Sequence, residues 1–233
     1  MAIKSVYWPQ PEVRDDLIHV TGNEHQHLRV SRTELGECVE LFDGVGHVMT
    51  GEVVEVNRSE TRLKVVDRRT VPPPRFEIIL GQALIKNPAF ERVIEKAVEV
   101  GVTRIVPFRA SRSNESGQGR ETRWQKIIVE AAKQSKHYHL PTLDPVTDLE
   151  TIARMEASSR VVFAERREGD LATALTSAPV LYLIGPEGGW TSEELEALEV
   201  RGFGFVRLGA HIMRSETAAI VAAGLIAHHL GVL

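Results

Sequence analysis

The pattern of apolar and polar residues changes character near residue 72. Before that point, β-rich runs such as ECVELFDG and HVMTGEVVEV flank a hairpin-type turn at 43–46, and a further run alternates from Leu63. Short strands without a long helix favour a small barrel. Three consecutive prolines at 72–74 fit neither a helix interior nor a central strand. We therefore place a domain boundary there, after an N-terminal domain over residues 1–70.

After the prolines, predicted strands alternate with predicted helices. FEIILGQAL predicts a buried strand, and NPAFERVIEKAVEVG predicts a helix with Asn87 as N-cap, Pro88 at the first helical position and Gly101 past its end. Further strands are predicted at RIVPF, RVVFAE, VLYLIG and FGFVRLG, and further helices at TRWQKIIVEAAKQSK, TSEELEALEVRG and SETAAIVAAGLIAHHL. This alternation predicts a mostly parallel α/β sheet over residues 71–233.

Composition and net charge exclude few classes of function, whereas the pattern of apolar residues indicates a class of fold. The 233 residues are 42% hydrophobic with a formal net charge of −4, so the whole chain has no excess of basic residues. Residues 104–137 nevertheless hold eight Lys or Arg against three Glu, which is typical of a face that meets an anionic partner or of a solvated helix face. The lone Cys38, the lack of a membrane-length apolar run and a start unlike a signal peptide predict a cytoplasmic protein.

The candidate chemistry begins at LYLIGPEGGW, residues 181–190, where a buried strand runs into a glycine-rich turn before a helix. Such turns often offer backbone N–H groups to phosphate. Here the glycines lack the following lysine of a P-loop, and the turn lies too late in the chain for a dinucleotide fingerprint. Acidic residues at 187, 193 and 194 would repel a phosphate, and Thr191 with Glu194 forms a capping box. The turn suits a nucleoside portion without phosphates, or it is an ordinary turn with an acidic cap.

A second motif repeats this arrangement at RLGAHIMRSETAAIVAAGLI, residues 207–226. Together, LIGPEGGWTSEE and LGAHIMRSETAAI resemble the signature of the RsmE family, the bacterial 16S ribosomal RNA uridine-N3 methyltransferases of the SPOUT superfamily. The family pattern is close to GPEGG–S–E followed by LG–ILR–ETA, and Met213 and Ser215 stand where leucine and threonine are usual. The resemblance extends over nearly the whole chain. It includes the segments HLRVSR, GECVELFDGVG, ALIKNPAFERVIEKAVEVGVTRIVPFRASRS and RWQKIIVEAAKQS.

The resemblance implies a fold, a methyl donor and partners. It implies an RNA-binding PUA-like β-barrel over residues 1–70 and a SPOUT α/β trefoil-knot methyltransferase domain over residues 71–233. It further implies S-adenosylmethionine as cofactor, 16S rRNA or the 30S subunit as partner, and a homodimer. S-adenosylmethionine carries no phosphate, which accounts for the acidic residues beside the glycine turn. The implied donor pocket comprises Leu183, Ile184, Gly185, Pro186, Glu187, Gly188, Leu208, Gly209, Ile212, Met213, Thr217 and Ala218.

Two residues of the second motif match the positions implied for catalysis. Uridine N3 must lose a proton, and the resulting charge spreads onto O2 and O4, where a guanidinium would stabilise it. Arg214 is the candidate for that role or for positioning RNA, and Glu216 is its orienting partner or the proton acceptor. The alternative is an Arg–Glu pair that only fixes the last helix.

The remaining expectations concern RNA, metal and other functions. Basic side chains suited to the RNA backbone are Arg29, Arg32, Lys86, Arg112 and Arg123, although any one of them alone could be a solvated charge. The histidine pairs have no recognised ligand spacing, so no metal is expected. No membrane partner is expected, because the chain has no apolar run of membrane length. Two alternative functions are a SPOUT ribose 2′-O-methyltransferase acting on rRNA or tRNA, which needs no N3 deprotonation, and a non-catalytic RNA-binding assembly factor.

Overall fold

The computed structural model describes residues 3–10, 12–114, 117–165 and 167–233. The chain forms two compact units. One unit takes the chain up to Pro73 together with Ala132–Leu140, and the other comprises Pro74–Ala131 and Pro141–Leu233. Nothing in the sequence pattern indicated that a later segment joins the first unit. Within the described part of the chain, none of the helices combines the length and apolar character needed to cross a bilayer.

Over its described residues, the first unit contains a six-stranded sheet, one complete helix and the last residues of a helix from the second unit. Its elements are β1 Lys4–Tyr7, β2 Val13–Arg14, β3 Leu17–Thr21, α1 Gly22–Val30, β4 Cys38–Phe42, β5 His47–Val56 and β6 Glu60–Thr70. The strand order is β1-β4-β5-β6-β3-β2, with β1 parallel to β4 and the other neighbours antiparallel. Alternating residues of these strands face a core formed by Val6, Ile18, Val20, Leu28, Val39, Leu41, Val53 and Leu63.

Helix α1 corrects the expectation that the N-terminal region contains strands alone. Its nine residues are mostly polar, and Leu28 is its one buried aliphatic side chain, while Val30 is 73% exposed. A stripe of apolar residues is the usual sign of a helix, and α1 has almost none. Its place in the fold depends instead on Leu28 and on the buried His25, whose Nδ1 lies 2.9 Å from the Thr61 hydroxyl.

Over its described residues, the second unit contains a seven-stranded sheet with six helices. Its elements are β7 Ile78–Ala83, α2 Asn87–Val100, β8 Arg104–Arg109, α3 Glu121–Ser135, β9 Thr142–Leu143, β10 Thr147–Asp148, α4 Leu149–Ala153, β11 Ser159–Phe163, α5 Leu171–Ala174, β12 Val180–Ile184, α6 Ser192–Val200, β13 Gly204–Val206 and α7 Ser215–His229; the end of α3 lies in the first unit. The order is β10-β8-β7-β12-β11-β13, with β9 beside β8, and every pairing is parallel. The predicted parallel α/β sheet is confirmed.

Two element boundaries differ from the sequence expectation. Helix α2 begins at Asn87 with Lys86 as N-cap, so Asn87 is not the cap, and no side chain caps this end. Gly101 does end the helix, in the left-handed conformation with φ of 92°. The last strand is only Gly204–Val206, because Arg207, Leu208 and Gly209 turn away from the sheet, with Gly209 at φ of 74°.

The parallel sheet places several loops at one edge. Strands β7 and β12 are neighbours at its centre, and all six residues of β7 and all five of β12 are buried. Their carboxyl ends lead to Leu84 and Gly185, and the carboxyl end of β13 leads to Arg207. In open α/β sheets, ligands bind outside the carboxyl ends of the strands.

Candidate functional site

The glycine turn after β12 is a tight, closed loop. The backbone N–H of Gly189 donates to the Pro186 carbonyl at 2.9 Å, and Gly189 has φ of 70°, a conformation that favours glycine. The Trp190 indole N–H donates to the Phe163 carbonyl at 3.0 Å. A Cβ at Gly185 would lie 2.9 Å from the Trp190 ring. Gly185 is therefore required because the indole occupies the space of a side chain.

Glu194 explains part of the acidity beside this turn. Its buried carboxylate accepts the Thr191 N–H at 2.9 Å, and the Thr191 hydroxyl accepts the Glu194 N–H at 3.2 Å, so the predicted capping box is confirmed. The other carboxylate oxygen accepts the Ser111 N–H at 2.7 Å. Its neighbour Glu193 has a lowered pKa because its own N–H and the Thr191 hydroxyl donate to it. These two carboxylates are thus engaged in holding the start of α6.

Arg112, expected to contact RNA, also holds the glycine turn. Its guanidinium Nη1 donates to the Gly188 carbonyl at 2.9 Å and to the Trp190 carbonyl at 3.3 Å. A Cβ at Gly188 would lie 3.1 Å from the Arg112 Cβ. The loop after β8 therefore packs on the turn after β12, and its arginine fixes two of the turn's carbonyls.

The second motif borders a cavity of about 290 Å³ at the same edge of the sheet. Its walls come from the start of α5, from the chain after β13 and from α7: Gly169, Asp170, Leu171, Val206, Arg207, Leu208, Gly209, Met213, Val221 and Leu225. A Cβ at Gly209 would meet nothing within 4 Å, so the space beside this glycine is open, while its N–H donates to the Arg207 carbonyl at 3.1 Å. The cavity is mainly apolar, with backbone groups of the Leu208–Gly209 turn at its border.

The structure brings only some of the expected donor residues together. Leu208, Gly209 and Met213 line the cavity. Leu183, Ile184 and Pro186 are buried at the end of β12, whereas Glu187 and Gly188 are exposed on the glycine turn. Ile212 is 79% exposed, Thr217 is exposed and Ala218 is half-buried.

Gln82 was missed by the sequence reasoning, although it joins the two motifs. It is fully buried at the end of β7, and its Nε2 donates to the Ser215 hydroxyl at 3.1 Å and to the Ala83 carbonyl at 2.9 Å. Ser215 in turn donates to the Gly185 carbonyl at 2.6 Å. The available signal was one amide within the apolar run IILGQAL, since buried polar groups need partners.

The two candidate catalytic residues occupy different environments. Arg214 is exposed and is the N-cap of α7, with no side-chain capping bond. Glu216 is 7% exposed within the first turn of that helix. Among the described residues, the cation within ion-pair distance of Glu216 is Arg92 on α2, at 4.0 Å, whereas the sequence analysis expected Arg214. Arg92 therefore joins the candidate site.

The other basic residues expected to contact RNA lie in both units. Arg29 and Arg32 are exposed in the first unit, and Lys86 is exposed at the start of α2. Arg123 pairs with Glu91 at 3.0 Å, and that hydrogen bond raises the pKa of its guanidinium. Within the part of the chain that the structure describes, no three His, Cys, Asp or Glu side chains form a group that could hold a metal ion.

Comparison with known proteins shows which protein family this chain resembles. The model of the RNA methyltransferase domain family matches residues 72–227. The ribosomal RNA small subunit methyltransferase E of Mycobacterium tuberculosis is 32% identical over 222 residues, which cover 89% of this chain and 84% of that protein. The protein of the same name from Bacillus subtilis is 27% identical, covering 92% and 91%.

Solved structures agree with these relatives. The crystal structure of a ribosomal RNA small subunit methyltransferase E from Neisseria gonorrhoeae, bound to S-adenosyl methionine, has a TM-score of 0.90 and 27% identity and covers 98% of each chain. A probable rRNA-methyltransferase from Porphyromonas gingivalis has a TM-score of 0.78 and 28% identity, covering 98% of each chain. The resemblance found in the sequence is confirmed, and this chain belongs to the ribosomal RNA small subunit methyltransferase E (RsmE) family of RNA methyltransferases.

Proposed function

We propose that this protein methylates N3 of a specific uridine in 16S rRNA of the small ribosomal subunit, with S-adenosylmethionine as the methyl donor. The proposal depends on one observation: the glycine turn, the Leu208–Gly209 turn and the start of α7 lie together at one edge of the sheet. Ser215 bonds to Gly185 there, and Leu208, Gly209 and Met213 border the cavity. A relative of the same family binds S-adenosyl methionine.

The residues at this edge fit that donor. The cavity volume of about 290 Å³ lies at the lower end of small-molecule sites, which span roughly 300–1,000 Å³. Leu208 and Met213 offer apolar contact, and Gly209 leaves open space beside the backbone of this turn. The engaged carboxylates of Glu193 and Glu194 make the nearby helix start unsuited to phosphate. A nucleoside with a cationic sulfur and no phosphate matches this chemistry.

In this proposal, the residues of the chain align the methyl donor with the uridine and accept the proton from uridine N3. When bound, the donor supplies an electrophilic methyl carbon, and correct alignment of the two reactants lowers the barrier. We assign Glu216 as the acceptor of the uridine N3 proton because it is the buried carboxylate at the start of α7. Arg214 is exposed two residues before it in sequence, and its guanidinium is assigned the role of stabilising charge on O2 or O4 of the uracil.

The architecture proposed for residues 71–233, most of which form the second unit, is a SPOUT trefoil knot. In support, β13 lies at the edge of the sheet, but Ser215 contacts Gly185 and Gln82 at the ends of the central strands. The connection 207–214 thus passes the end of β11 before α7 begins. A trefoil knot further requires this part of the chain to pass through a loop, which is a rare topology in proteins.

Residues 1–70, which lie in the first unit, are proposed to form a PUA-like barrel that binds RNA. In support, its six strands pair around one core, and Arg29 and Arg32 are exposed. Lys86, Arg112 and Arg123 are proposed to contact RNA from the second unit. The enzyme is proposed to act as a homodimer in the cytoplasm, and the exposed apolar side chains Leu225, Val232 and Leu233 support the dimer.

The function is tested by methylating 30S subunits from cells that lack the gene. The purified protein is incubated with these subunits and isotope-labelled S-adenosylmethionine, and nucleosides of the 16S rRNA are analysed by mass spectrometry. We expect label in N3-methyluridine with the parent protein and its loss with Glu216→Gln. Label in a 2′-O-methylated nucleoside would favour the ribose methyltransferase instead. Tight binding to the subunit without any transfer would favour a non-catalytic assembly factor.

A further inference from the structure

Three segments that are distant in sequence share one buried chain of hydrogen bonds. Gln82 Nε2 donates to Ser215 Oγ at 3.1 Å, and Ser215 Oγ donates to the Gly185 carbonyl at 2.6 Å. The second Nε2 proton is directed to the Ala83 carbonyl at 2.9 Å. Gln82 has no exposed surface and Ser215 is 8% exposed. The chain therefore connects the end of β7, the glycine turn after β12 and the first turn of α7, shielded from water.

The direction of the protons in this chain follows from its acceptors. A serine hydroxyl has one proton, and the Gly185 carbonyl can only accept, so Ser215 must donate to Gly185. Whatever approaches Ser215 Oγ from Gln82 must then be a donor, which is the amide N–H. A flipped amide would also oppose its oxygen to the Ala83 carbonyl. The geometry thus defines one orientation of Gln82, and neither aspartate, glutamate nor an apolar residue can reproduce it.

The Gln82 amide has a second property that separates function from stability. Its Oε1 is buried and has no hydrogen-bond partner among the described residues. A buried carbonyl oxygen without a partner destabilises a fold, whereas the two bonds from Nε2 satisfy Ser215 Oγ and the Ala83 carbonyl. An apolar side chain of similar shape would remove the unpaired oxygen but would also lose both of these bonds. These two effects on stability oppose each other, so the bond to Ser215 is what distinguishes glutamine from an apolar residue of the same shape at this position.

From this arrangement we propose that Gln82 is a positioning residue for the methyl-donor site. Through Ser215 it fixes the Gly185 carbonyl and thereby the Gly185–Pro186 peptide, whose proline nitrogen has no N–H to anchor it independently. The same bond sets the distance between the glycine turn and the helix that carries Glu216. This inference rests on the proposed function, because it takes the glycine turn as part of the donor site.

The test compares Gln82→Met with the parent by thermal unfolding and by calorimetric titration with S-adenosylhomocysteine. Methionine has a similar shape but no N–H. We expect little change in Tm, because removal of the unpaired oxygen offsets the two lost Nε2 bonds, together with a Kd that is about three- to tenfold weaker, the effect of losing the bond to Ser215. Gln125→Met is the matched control, because Gln125 is exposed on α3, and it should leave the Kd unchanged.

A serine series makes the test independent of whether Gln82→Met folds. Ser215→Ala removes the hydroxyl and should weaken binding to the same extent, whereas Ser215→Thr keeps the hydroxyl and should restore it. In a double-mutant cycle, Gln82→Met should add little to Ser215→Ala, since both interrupt one chain.

The failures of the two proposals are distinguishable. If the parent binds S-adenosylhomocysteine and both Gln82→Met and Ser215→Ala bind it equally well, the positioning role is wrong while the donor site stands. If the parent itself shows no binding, the proposed donor site is wrong. If Gln82→Met and Ser215→Ala bind more weakly and both also lower the Tm by a similar amount, Gln82 only stabilises the core and the inference is wrong.

Discussion

The Glu194 carboxylate accepts the backbone N–H of Ser111 at 2.7 Å and so connects the loop after β8 to the start of α6. The same carboxylate completes the capping box with Thr191, so one buried side chain satisfies two backbone N–H groups from two segments. Since an unpaired buried N–H is costly, this residue has few acceptable substitutes.

Glu194→Ala is therefore expected to lower the free energy of unfolding by about 1–3 kcal/mol, because both N–H groups lose their acceptor. Glu194→Gln should have a smaller effect, since its single carbonyl oxygen can serve only one of them. Urea unfolding at neutral pH measures both changes. Glu196→Ala, an exposed position on the same helix, should change stability by less than about 0.5 kcal/mol. Equal effects at 194 and 196 would contradict the bridging role.

The sequence predicted the alternation of the longer strands and helices in the second unit because most of them have a clear apolar stripe or run. The short elements β9, β10, α4 and α5 were not predicted, since they have two to five residues each. Phe90, Val93, Ile94, Ala97 and Val98 form the buried face of α2, as the pattern required. The capping box was readable for the same reason, since Thr191 and Glu194 are only three residues apart. Local signals of this kind need no knowledge of the tertiary structure.

The parts that could not be predicted depend on contacts between distant residues. Gln82 and Ser215 are 133 positions apart, and no local pattern joins them. The same holds for Arg92 beside Glu216 and for Arg112 on the Gly188 carbonyl. Arg112 was a candidate because of its charge, and Glu216 because of its place in a motif. The groups that they contact could be identified only from the folded structure.

The fit between Gly185 and Trp190 predicts a specific intolerance in the glycine turn. Gly185→Ala would place a Cβ 2.9 Å from the indole, so the ring must move and its bond to the Phe163 carbonyl is lost. We expect a loss of about 1–3 kcal/mol in unfolding free energy, as for other overpacked sites, with weaker binding of S-adenosylhomocysteine. Trp190→Phe keeps a ring against Phe108 and removes only the N–H, so its effect should be smaller. A fully tolerated Gly185→Ala would contradict this packing.

The two carbonyls held by Arg112 give a way to separate turn support from RNA contact. Arg112→Ala should weaken S-adenosylhomocysteine binding about threefold or more in the absence of RNA, because the Gly188 and Trp190 carbonyls lose a charged donor. Arg123→Ala, whose partner is Glu91, should leave donor binding unchanged. Calorimetry without RNA measures both. If Arg112→Ala affects only RNA binding, the contact to the turn has no role in the donor site.

Glu40 predicts an acid-sensitive contribution to the stability of the first unit. Burial opposes its ionisation, but hydrogen bonds from Lys136, Arg69 and Tyr138 together hold its pKa below the ordinary value of 4.5. A carboxyl with a lowered folded-state pKa stabilises the fold above its unfolded pKa, and this stability is lost as the pH falls through the folded value.

Glu40→Gln should therefore destabilise the protein at pH 7, by about 1–3 kcal/mol, and the difference from the parent should shrink below pH 4.5 as Glu40 becomes protonated. Urea unfolding at a series of pH values between 7 and 3 measures this difference. Glu52→Gln serves as control, because Glu52 is exposed on β5. A difference that stays constant or grows on acidification would show that the ionised carboxylate is not what stabilises this network.

The apolar surface at the end of the chain predicts the behaviour of the proposed dimer. Leu225 on α7 is 43% exposed, and Leu233 is 64% exposed. A charge at Leu225 would be desolvated in a dimer, so Leu225→Asp should weaken self-association by at least about tenfold while the folded protomer persists. Sedimentation velocity over a concentration range, with circular dichroism as a check of folding, measures this. Leu35→Asp is the matched control, because Leu35 is 68% exposed in the first unit and should leave association unchanged. A parent that sediments as a monomer at every concentration would remove the dimer from the proposal, whereas a Leu225→Asp variant that associates like the parent would place the interface elsewhere.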